Sequence, residues 1–232
     1  NIDLYYVGEP FSGKTITVTG EEFIHITRVM RYEKGDNIHI TDGKGKIHSV
    51  KISSIGKSSL SAEILNTYEY ENSLDNFTIA IPALKKIDRQ EFALEKCIEM
   101  GFTKFVFFQS LRSIPKSFKP ERLQSISIAA MKQSLRAFLP EIRTEKKIEA
   151  LAEMGKKVIY FGQDEKRTIN QFIKNVYVNE QYLLVFGPEG GLNDDEIKIL
   201  EAADSVRITR NRLRTETAIV SAAVLISNAI AE

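Results

Sequence analysis

The segment "VFGPEGGLNDDEI", residues 185–197, passes from apolar strand sequence through a glycine-rich turn into a helix start. Gly190 and Gly191 permit positive φ angles and a close approach of the main chain to another group. Asn193 followed by Glu196 has the spacing of a capping box, which predicts a helix N-terminus there. Because ligands of open α/β sheets bind beyond the carboxyl ends of strands, the turn is a candidate binding loop.

Two other interpretations of this turn bear on its function. Glycine and proline often serve only to reverse the chain, so the segment alone fits a tight turn without a ligand equally well. Its spacing is not GxGxxG, and no P-loop lysine follows. A site for nucleotide phosphates is therefore poorly supported.

The chain from Phe77 onward alternates apolar strands with helical segments. Uninterrupted apolar strands joined by helices predict a mostly parallel sheet that is covered on both faces. The predicted strands are residues 77–84, 104–108, 156–162, 182–187 and 204–209, and the predicted helices are residues 88–101, 120–139, 193–203 and 215–231.

Residues 1–70 follow a different pattern, in which apolar and polar residues alternate between closely spaced glycines. This pattern predicts a small β-barrel with strands at 14–20, 36–43, 46–55 and 59–68, and a short helical turn within 21–31. Residues 69–76 are polar and lack a period, as linkers do. We therefore expect two domains, residues 1–70 and 77–232.

The composition excludes several classes of protein. With 43% hydrophobic and 27% charged residues, the chain of 232 residues is expected to fold. Its net charge of +1 gives no global field for nucleic acid, so any basic surface must be local. The lone Cys97 excludes a disulfide framework, and three scattered histidines predict no metal site. We find neither a membrane-spanning apolar run nor a signal peptide, so we expect a cytoplasmic protein.

The last 27 residues carry a second informative pattern. Arg207, Arg210, Arg212 and Arg214 crowd together just before a helix whose residues 218–230 are apolar almost all round. Crowded guanidinium groups suit phosphate or an RNA backbone, although a solvated loop is the simpler interpretation. A helix this apolar must be covered on most sides, which predicts a homodimer through the C-terminal helix.

Together, "GPEGG" (187–191) and "LRTETA" (213–218) resemble the ribosomal RNA small subunit methyltransferase E family. These SPOUT-class enzymes methylate N3 of a uridine in 16S ribosomal RNA. Three further segments are similar to the family: residues 25–45, 94–113 and 129–142. The chain departs from the family pattern at Lys132, where glutamate is usual, at Leu135, where a small residue and often glycine is usual, and at Thr209, where glycine is common.

The resemblance implies a C-terminal SPOUT α/β domain with a deep trefoil knot and an N-terminal PUA-like β-barrel that binds RNA. It also implies that loops of the knot bind S-adenosyl-L-methionine. The cofactor-binding residues expected on this basis are Phe161, Gly162, Phe186, Gly187, Pro188, Glu189, Gly190, Gly191, Ile208, Leu213, Thr215, Thr217 and Ala218.

The same resemblance assigns roles around the target base. Arg214 is the candidate for stabilising the anionic uracil, and Glu216 is expected to orient it, to act as a base or to cap the helix. The expected partner is 16S rRNA or the assembled small ribosomal subunit, without a metal ion. The expected RNA-binding residues are Arg28, Arg31, Arg112, Arg136, Arg143, Arg210 and Arg212.

Three alternatives remain open at the level of sequence. The first is a SPOUT methyltransferase that acts on another RNA nucleotide. The second is a non-catalytic RNA-binding module on the same fold, against which the intact GPEGG and LRTETA segments argue. The third is an α/β enzyme that binds a mononucleotide, for which the chain lacks any phosphate fingerprint.

Overall fold

A computed structural model describes residues 3–8, 11, 13–113 and 118–230. The chain forms two compact units. Unit 1 comprises Asn1–Asn72 with Met131–Leu139, and unit 2 comprises Ser73–Ala130 with Pro140–Glu232. None of the helices within the described ranges combines the length and the apolarity that crossing a membrane requires.

Unit 1 contains a five-stranded sheet in the order β1-β3-β4-β5-β2. Apolar side chains at alternate positions face its core; in β2, for example, Ile16 and Val18 are buried between exposed threonines. All four predicted strands are confirmed, whereas the three-residue β1 was not predicted because it is too short to show a period. The elements are β1 (Leu4–Tyr6), β2 (Thr15–Thr19), α1 (Gly20–Ile24) with a π-helical turn (His25–Val29), β3 (Asn37–Thr41), β4 (Lys46–Ile55) and β5 (Ser59–Glu69).

Unit 2 is built on a seven-stranded sheet in which every observed pairing is parallel. The strand order is β10-β12-β9-β11-β6-β7-β8. The elements are β6 (Phe77–Pro82), α2 (Ile87–Glu99), β7 (Lys104–Phe108), α3 (Pro120–Gln133), β8 (Glu141–Glu145), α4 (Glu149–Ala152), β9 (Lys157–Phe161), β10 (Arg167–Thr168), α5 (Ile169–Ile173), β11 (Tyr182–Phe186), α6 (Asp194–Leu200), β12 (Asp204–Arg207) and α7 (Thr215–Ile230).

The sheet confirms the predicted mostly parallel α/β architecture. Every residue of β6 and β11, the two central strands, is buried, as expected for strands covered on both faces. The sequence did not reveal β8, β10, α4 or α5, because these elements are short and several of their residues are polar. The trefoil knot stays a prediction.

The predicted helix 120–139 was too long, because α3 ends at Gln133. Leu135 takes a left-handed conformation with φ 56°. Its N–H donates to the Lys132 carbonyl (3.2 Å), and the Arg136 N–H donates to the Met131 carbonyl (2.9 Å). These two bonds form a Schellman motif, which usually places glycine at the position of Leu135. A leucine there gave no signal that the helix stops.

Candidate active site

A cavity of about 590 Å³ lies at the carboxyl ends of β9, β11 and β12, which are neighbours in the sheet. Its volume falls within the range of roughly 300–1,000 Å³ that is usual for small-molecule sites. The residues that line it follow the three strands or begin α7: Tyr160, Phe161, Gly162, Gln163, Asp164, Phe186, Gly187, Pro188, Glu189, Gly190, Gly191, Ile208, Thr209, Asn211, Arg212, Leu213, Thr215 and Ala218.

The glycine turn has the geometry that its sequence predicts. The Gly191 N–H donates to the Pro188 carbonyl (2.8 Å), and Gly191 itself has φ +69°. A Cβ on Gly187 would lie 3.1 Å from the Leu192 nitrogen and 3.2 Å from the Gly191 Cα. At Gly187 a side chain would be tightly packed against the main chain of the turn, and at Gly191 the turn needs a conformation that glycine adopts at little cost.

A buried carboxylate connects the start of α6 to a second loop. Asn193 and Glu196 form the predicted capping box, in which each side chain accepts the other residue's main-chain N–H (2.8 and 3.0 Å). Glu196 is 1% exposed, and its remaining oxygen accepts the Leu111 N–H (2.8 Å). The adjacent Arg112 donates from Nη1 to the Gly190 carbonyl (2.8 Å). The loop after β7 is thus fixed beside the glycine turn.

The first residue of α7 connects the two segments that resemble the methyltransferase family. The Thr215 hydroxyl donates to the Gly187 carbonyl (2.9 Å), and the helix begins there with the Ala218 N–H on the Arg214 carbonyl (2.8 Å). Next to this contact, the rings of Phe161 and Phe186 stack with centroids 4.5 Å apart and an angle of 9° between their planes. The hydroxyl and the stacked rings give the cavity a polar side and an apolar side.

All the predicted cofactor residues line this cavity except Thr217, which is exposed on α7. Helix geometry explains the position of Thr217, whose role in cofactor binding stays a prediction. Thr215 and Ala218 are three positions apart and share a face, whereas Thr217 is rotated by about 200° from Thr215. Tyr160, Gln163 and Asp164 line the cavity without having been predicted, and Thr209 and Asn211 line it within the predicted stretch from Ile208 to Ala218. For Gln163 and Asp164 the available signal was their place directly after a strand end.

The two predicted catalytic residues lie outside the cavity lining. Arg214 is exposed, immediately before α7. Glu216 is 8% exposed, and its Oε1 forms an ion pair with Nε of Arg89 on α2 (3.3 Å). Its Oε2 is buried and has no hydrogen-bond partner among the described residues. Within that part of the chain Glu216 pairs with Arg89 and not with Arg214.

The seven predicted RNA-binding arginines are distributed over both units. In unit 1, Arg28 and Arg31 are exposed, and Arg136 follows the end of α3. In unit 2, Arg112 and Arg212 border the cavity, and Arg210 is exposed in the loop before α7. Arg143 on β8 lies instead at a separate cavity near the amino ends of the strands.

No group of three or more histidine, cysteine or acidic side chains is placed to hold a metal ion in the part of the chain that the structure describes.

Comparison with known proteins identifies the family. A family model described as an RNA methyltransferase domain matches residues 71–227, and one described as an RNA methyltransferase PUA domain matches residues 18–65. The ribosomal RNA small subunit methyltransferase E of Bacillus subtilis is 28% identical over 220 residues, which cover 88% of this chain and 86% of that protein.

Solved structures agree over nearly the whole chain. A probable rRNA-methyltransferase from Porphyromonas gingivalis superposes with a TM-score of 0.85 and 31% identity and covers 99% of both chains. A ribosomal RNA small subunit methyltransferase E from Neisseria gonorrhoeae, solved bound to S-adenosyl methionine, has a TM-score of 0.85 and 26% identity and covers 98% of both chains. The glycine turn and the start of α7 are hydrogen-bonded around one cavity. Together with these comparisons, this geometry shows that the chain belongs to the ribosomal RNA small subunit methyltransferase E family of RNA methyltransferases.

Proposed function

We propose that this chain transfers a methyl group from S-adenosylmethionine to N3 of a uridine in 16S ribosomal RNA. The observation that carries the proposal is the hydrogen bond from Thr215 to the Gly187 carbonyl (2.9 Å). It joins the two segments that resemble the family, and both line the same cavity. The gonococcal relative that was solved with S-adenosyl methionine supports the choice of cofactor.

The cavity residues fit the chemical parts of this cofactor. The stacked Phe161 and Phe186 give an apolar wall for the adenine, and main-chain groups of the glycine turn can approach the ligand closely. Asp164 and Glu189 are the carboxylates of the lining, and they suit the cationic end of the ligand. The Glu189 Oε1 accepts the Lys85 N–H (3.2 Å), which fixes its orientation. When bound, the cofactor supplies a methyl group on a positively charged sulfur.

The remaining task of the protein concerns the target base. Uracil N3 must lose its proton to solvent, which leaves negative charge on the base; its lone pair then forms the new bond to the methyl carbon as the sulfur–carbon bond breaks. We assign Arg214 to the stabilisation of this negative charge, because an exposed cation just before α7 lies beside the cavity-lining Leu213 and Thr215. Glu216 acts in this proposal as a positioning residue that holds the start of α7 through Arg89.

RNA recognition is assigned to exposed arginines of both units. Arg112 and Arg212 border the cavity and suit phosphates that flank the target nucleotide. The match of residues 18–65 to an RNA methyltransferase PUA domain supports a role for Arg28 and Arg31. Arg136, Arg143 and Arg210 are assigned the same general role. The target nucleotide is expected to be flipped out of its stack into the cavity.

The proposed assembly is a homodimer that forms through α7. One face of this helix packs in unit 2 with Ile219, Ala222, Ala223 and Ile226 buried. Val224 and Leu225 are 44% and 36% exposed, which leaves an apolar strip for a second copy. The substrate is proposed to be 16S rRNA or the assembled small subunit, which implies a cytoplasmic location.

A methyl-transfer assay with a matched pair of variants tests the proposal. Small subunits from cells that lack this protein are incubated with S-adenosylmethionine labelled on its methyl group. The protein should transfer label to 16S rRNA, and Thr215→Val should lower the rate about tenfold through loss of one hydrogen bond worth roughly 1–2 kcal/mol. Thr217→Val, at the exposed position, should behave as the unchanged protein. Absence of label from the RNA, or equal rates in the two variants, would contradict the proposal.

A further inference from the structure

A second cavity lies at the opposite end of the unit 2 sheet from the candidate active site. Its volume is about 190 Å³, and it opens near the amino ends of β6, β7, β8 and β9. Its polar lining comes from Thr78, Lys104, Glu141, Arg143 and Lys156, which together define the basic notch. The strands between the two cavities have five residues in β7 and β9, so at least ~13 Å separates them along a strand.

The three cations of the notch differ in their partners. Lys104 forms an ion pair with Asp75 Oδ1 (2.7 Å) and donates to the Asp75 carbonyl (2.8 Å). The Lys156 ammonium donates to Oε1 of Gln181 (3.1 Å), which is a neutral amide. Among the described residues, neither Arg143 nor Lys156 lies within ion-pair distance of a carboxylate, although Glu141 belongs to the same lining. Two of the three cations therefore form no ion pair within the described part of the chain.

The electrostatics of Lys156 reflect this imbalance. Burial lowers the pKa of Lys156, and the positive charges of Lys104 and Arg143 lower it further. Asp75 and Glu141 act on this pKa in the opposite direction without cancelling the effect. Partly buried charges in proteins are usually paired, so an ammonium that forms no ion pair and lies beside a guanidinium marks a place where an anion would be stabilised.

We propose that the basic notch binds a phosphate group. Its volume of about 190 Å³ has room for one hydrated phosphate. Arg143 supplies a planar guanidinium that can donate two parallel hydrogen bonds, Lys156 a point charge and Thr78 a hydroxyl. Phe105 and Met154 form the apolar part of the lining.

The phosphate has two possible sources with the same chemistry, an RNA backbone and free inorganic phosphate. Phosphate binding stands independently of methyl transfer, whereas the RNA source rests on the proposed function. In that case the notch holds the substrate away from its reacting nucleotide, at a distance of about four stacked nucleotides.

Titration with inorganic phosphate tests the site itself. The pKa of Lys156 is followed by NMR of its side-chain amine, with sodium chloride at matched ionic strength as the reference. Phosphate should raise the pKa of Lys156. Arg143→Gln should increase at least tenfold the phosphate concentration needed for half of this pKa change. Lys157→Gln is the matched control. It also removes one positive charge, but Lys157, which follows Lys156 in the chain, already pairs with Glu180 (2.8 Å). An unchanged Lys156 pKa, or equal effects of Arg143→Gln and Lys157→Gln, would overturn the proposal.

The salt dependence of 16S rRNA binding identifies the source. If the notch holds a backbone phosphate, Arg143→Gln and Lys156→Gln should each reduce the slope of log K against log salt by about one, and Lys157→Gln should not. An unchanged slope together with a raised Lys156 pKa assigns the site to free phosphate and supports the notch. A reduced slope without any pKa response would make Arg143 an ordinary surface contact and overturn it. S-adenosylmethionine affinity should be unchanged in all three variants, which separates this test from that of the active site.

Discussion

The three glycines of the turn at residues 187–191 should respond differently to the same small change. We compare Gly187→Ala, Gly190→Ala and Gly191→Ala, each of which adds one methyl group. A new Cβ at Gly187 would lie 3.1 Å from the Leu192 nitrogen and 3.2 Å from the Gly191 Cα, both main-chain atoms. At Gly190 it would lie 3.5 Å from Cβ and Cδ of Arg112, which is ordinary contact. At Gly191 it would meet nothing within 4 Å, but φ is +69°.

These geometries set the size of each effect. Gly191→Ala should strain the turn by about 1–2 kcal/mol, the cost of a left-handed conformation for a residue with a Cβ. Gly187→Ala should cost about 1–3 kcal/mol, because the main chain must shift to make room. A turn that relaxes to relieve this strain must be restored when a ligand binds, so affinity should fall roughly tenfold for each 1.4 kcal/mol. Gly190→Ala should stay close to the unchanged protein in both respects.

Calorimetric titration with S-adenosylmethionine measures the affinities, and urea denaturation measures the free energies of unfolding. The expected order of affinity is unchanged protein, then Gly190→Ala, and then the other two variants at about tenfold or more below. Equal affinities for Gly187→Ala and Gly190→Ala, with both proteins folded, would refute the conclusion that the tight turn forms the ligand site.

Three further predictions concern other parts of the chain. Arg214→Ala should lower the single-turnover rate of methyl transfer on the order of a hundredfold with little change in RNA affinity. Arg214→Lys should recover little of this rate, because an ammonium lacks the planar geometry of a guanidinium. A normal rate with weak RNA binding would instead make Arg214 a binding residue. Leu135→Gly should unfold with a free energy about 1 kcal/mol above that of Leu135→Ala, the reverse of the usual helix order, because φ at this position is positive; urea denaturation showing the alanine variant as the more stable would contradict this. Burial lowers the pKa of His48, so the unfolded chain takes up a proton at higher pH than the folded chain does, and the free energy of unfolding should fall as pH drops below about 6.5. His48→Gln should reduce this dependence of the free energy of unfolding on pH in denaturation series between pH 7 and pH 5. An unaltered dependence would refute the assignment of the effect to His48.

Much of the fold follows from local sequence patterns. The central strands of unit 2 are apolar except for Thr78, which predicts buried strands, and the glycines of unit 1 separate its alternating strands. β8 is not predicted by these patterns, because "EIRTE" at 141–145 has the composition of a surface segment. In the structure it pairs in parallel with β7 along its whole length. The end of α3 before Leu135 is not predicted either, because the left-handed conformation of Leu135 marks it and its residue type does not.

The candidate site is predictable to the extent that it depends on main-chain geometry. The glycine turn and the capping box of Asn193 and Glu196 have direct sequence signals, and the structure contains both. The ion pair of Glu216 with Arg89 could not be foreseen, because the two residues lie on helices that are distant in sequence and meet only in the folded unit. Thr217 lies outside the cavity lining because successive residues of a helix are rotated by about 100°, so Thr215 and Ala218 share a face that Thr217 does not; its role in cofactor binding stays a prediction.

The central claim is that this protein methylates uracil N3 in 16S rRNA with S-adenosylmethionine as the methyl donor. The most direct test uses small subunits from cells that lack the protein, treated with purified protein and S-adenosylmethionine, followed by nucleoside mass spectrometry of the 16S rRNA. The account predicts that 3-methyluridine, absent before treatment, appears at one position per 16S molecule and fails to appear when S-adenosylmethionine is omitted. RNA that gains no methyl group, or a methyl group on any atom other than uracil N3, would contradict it.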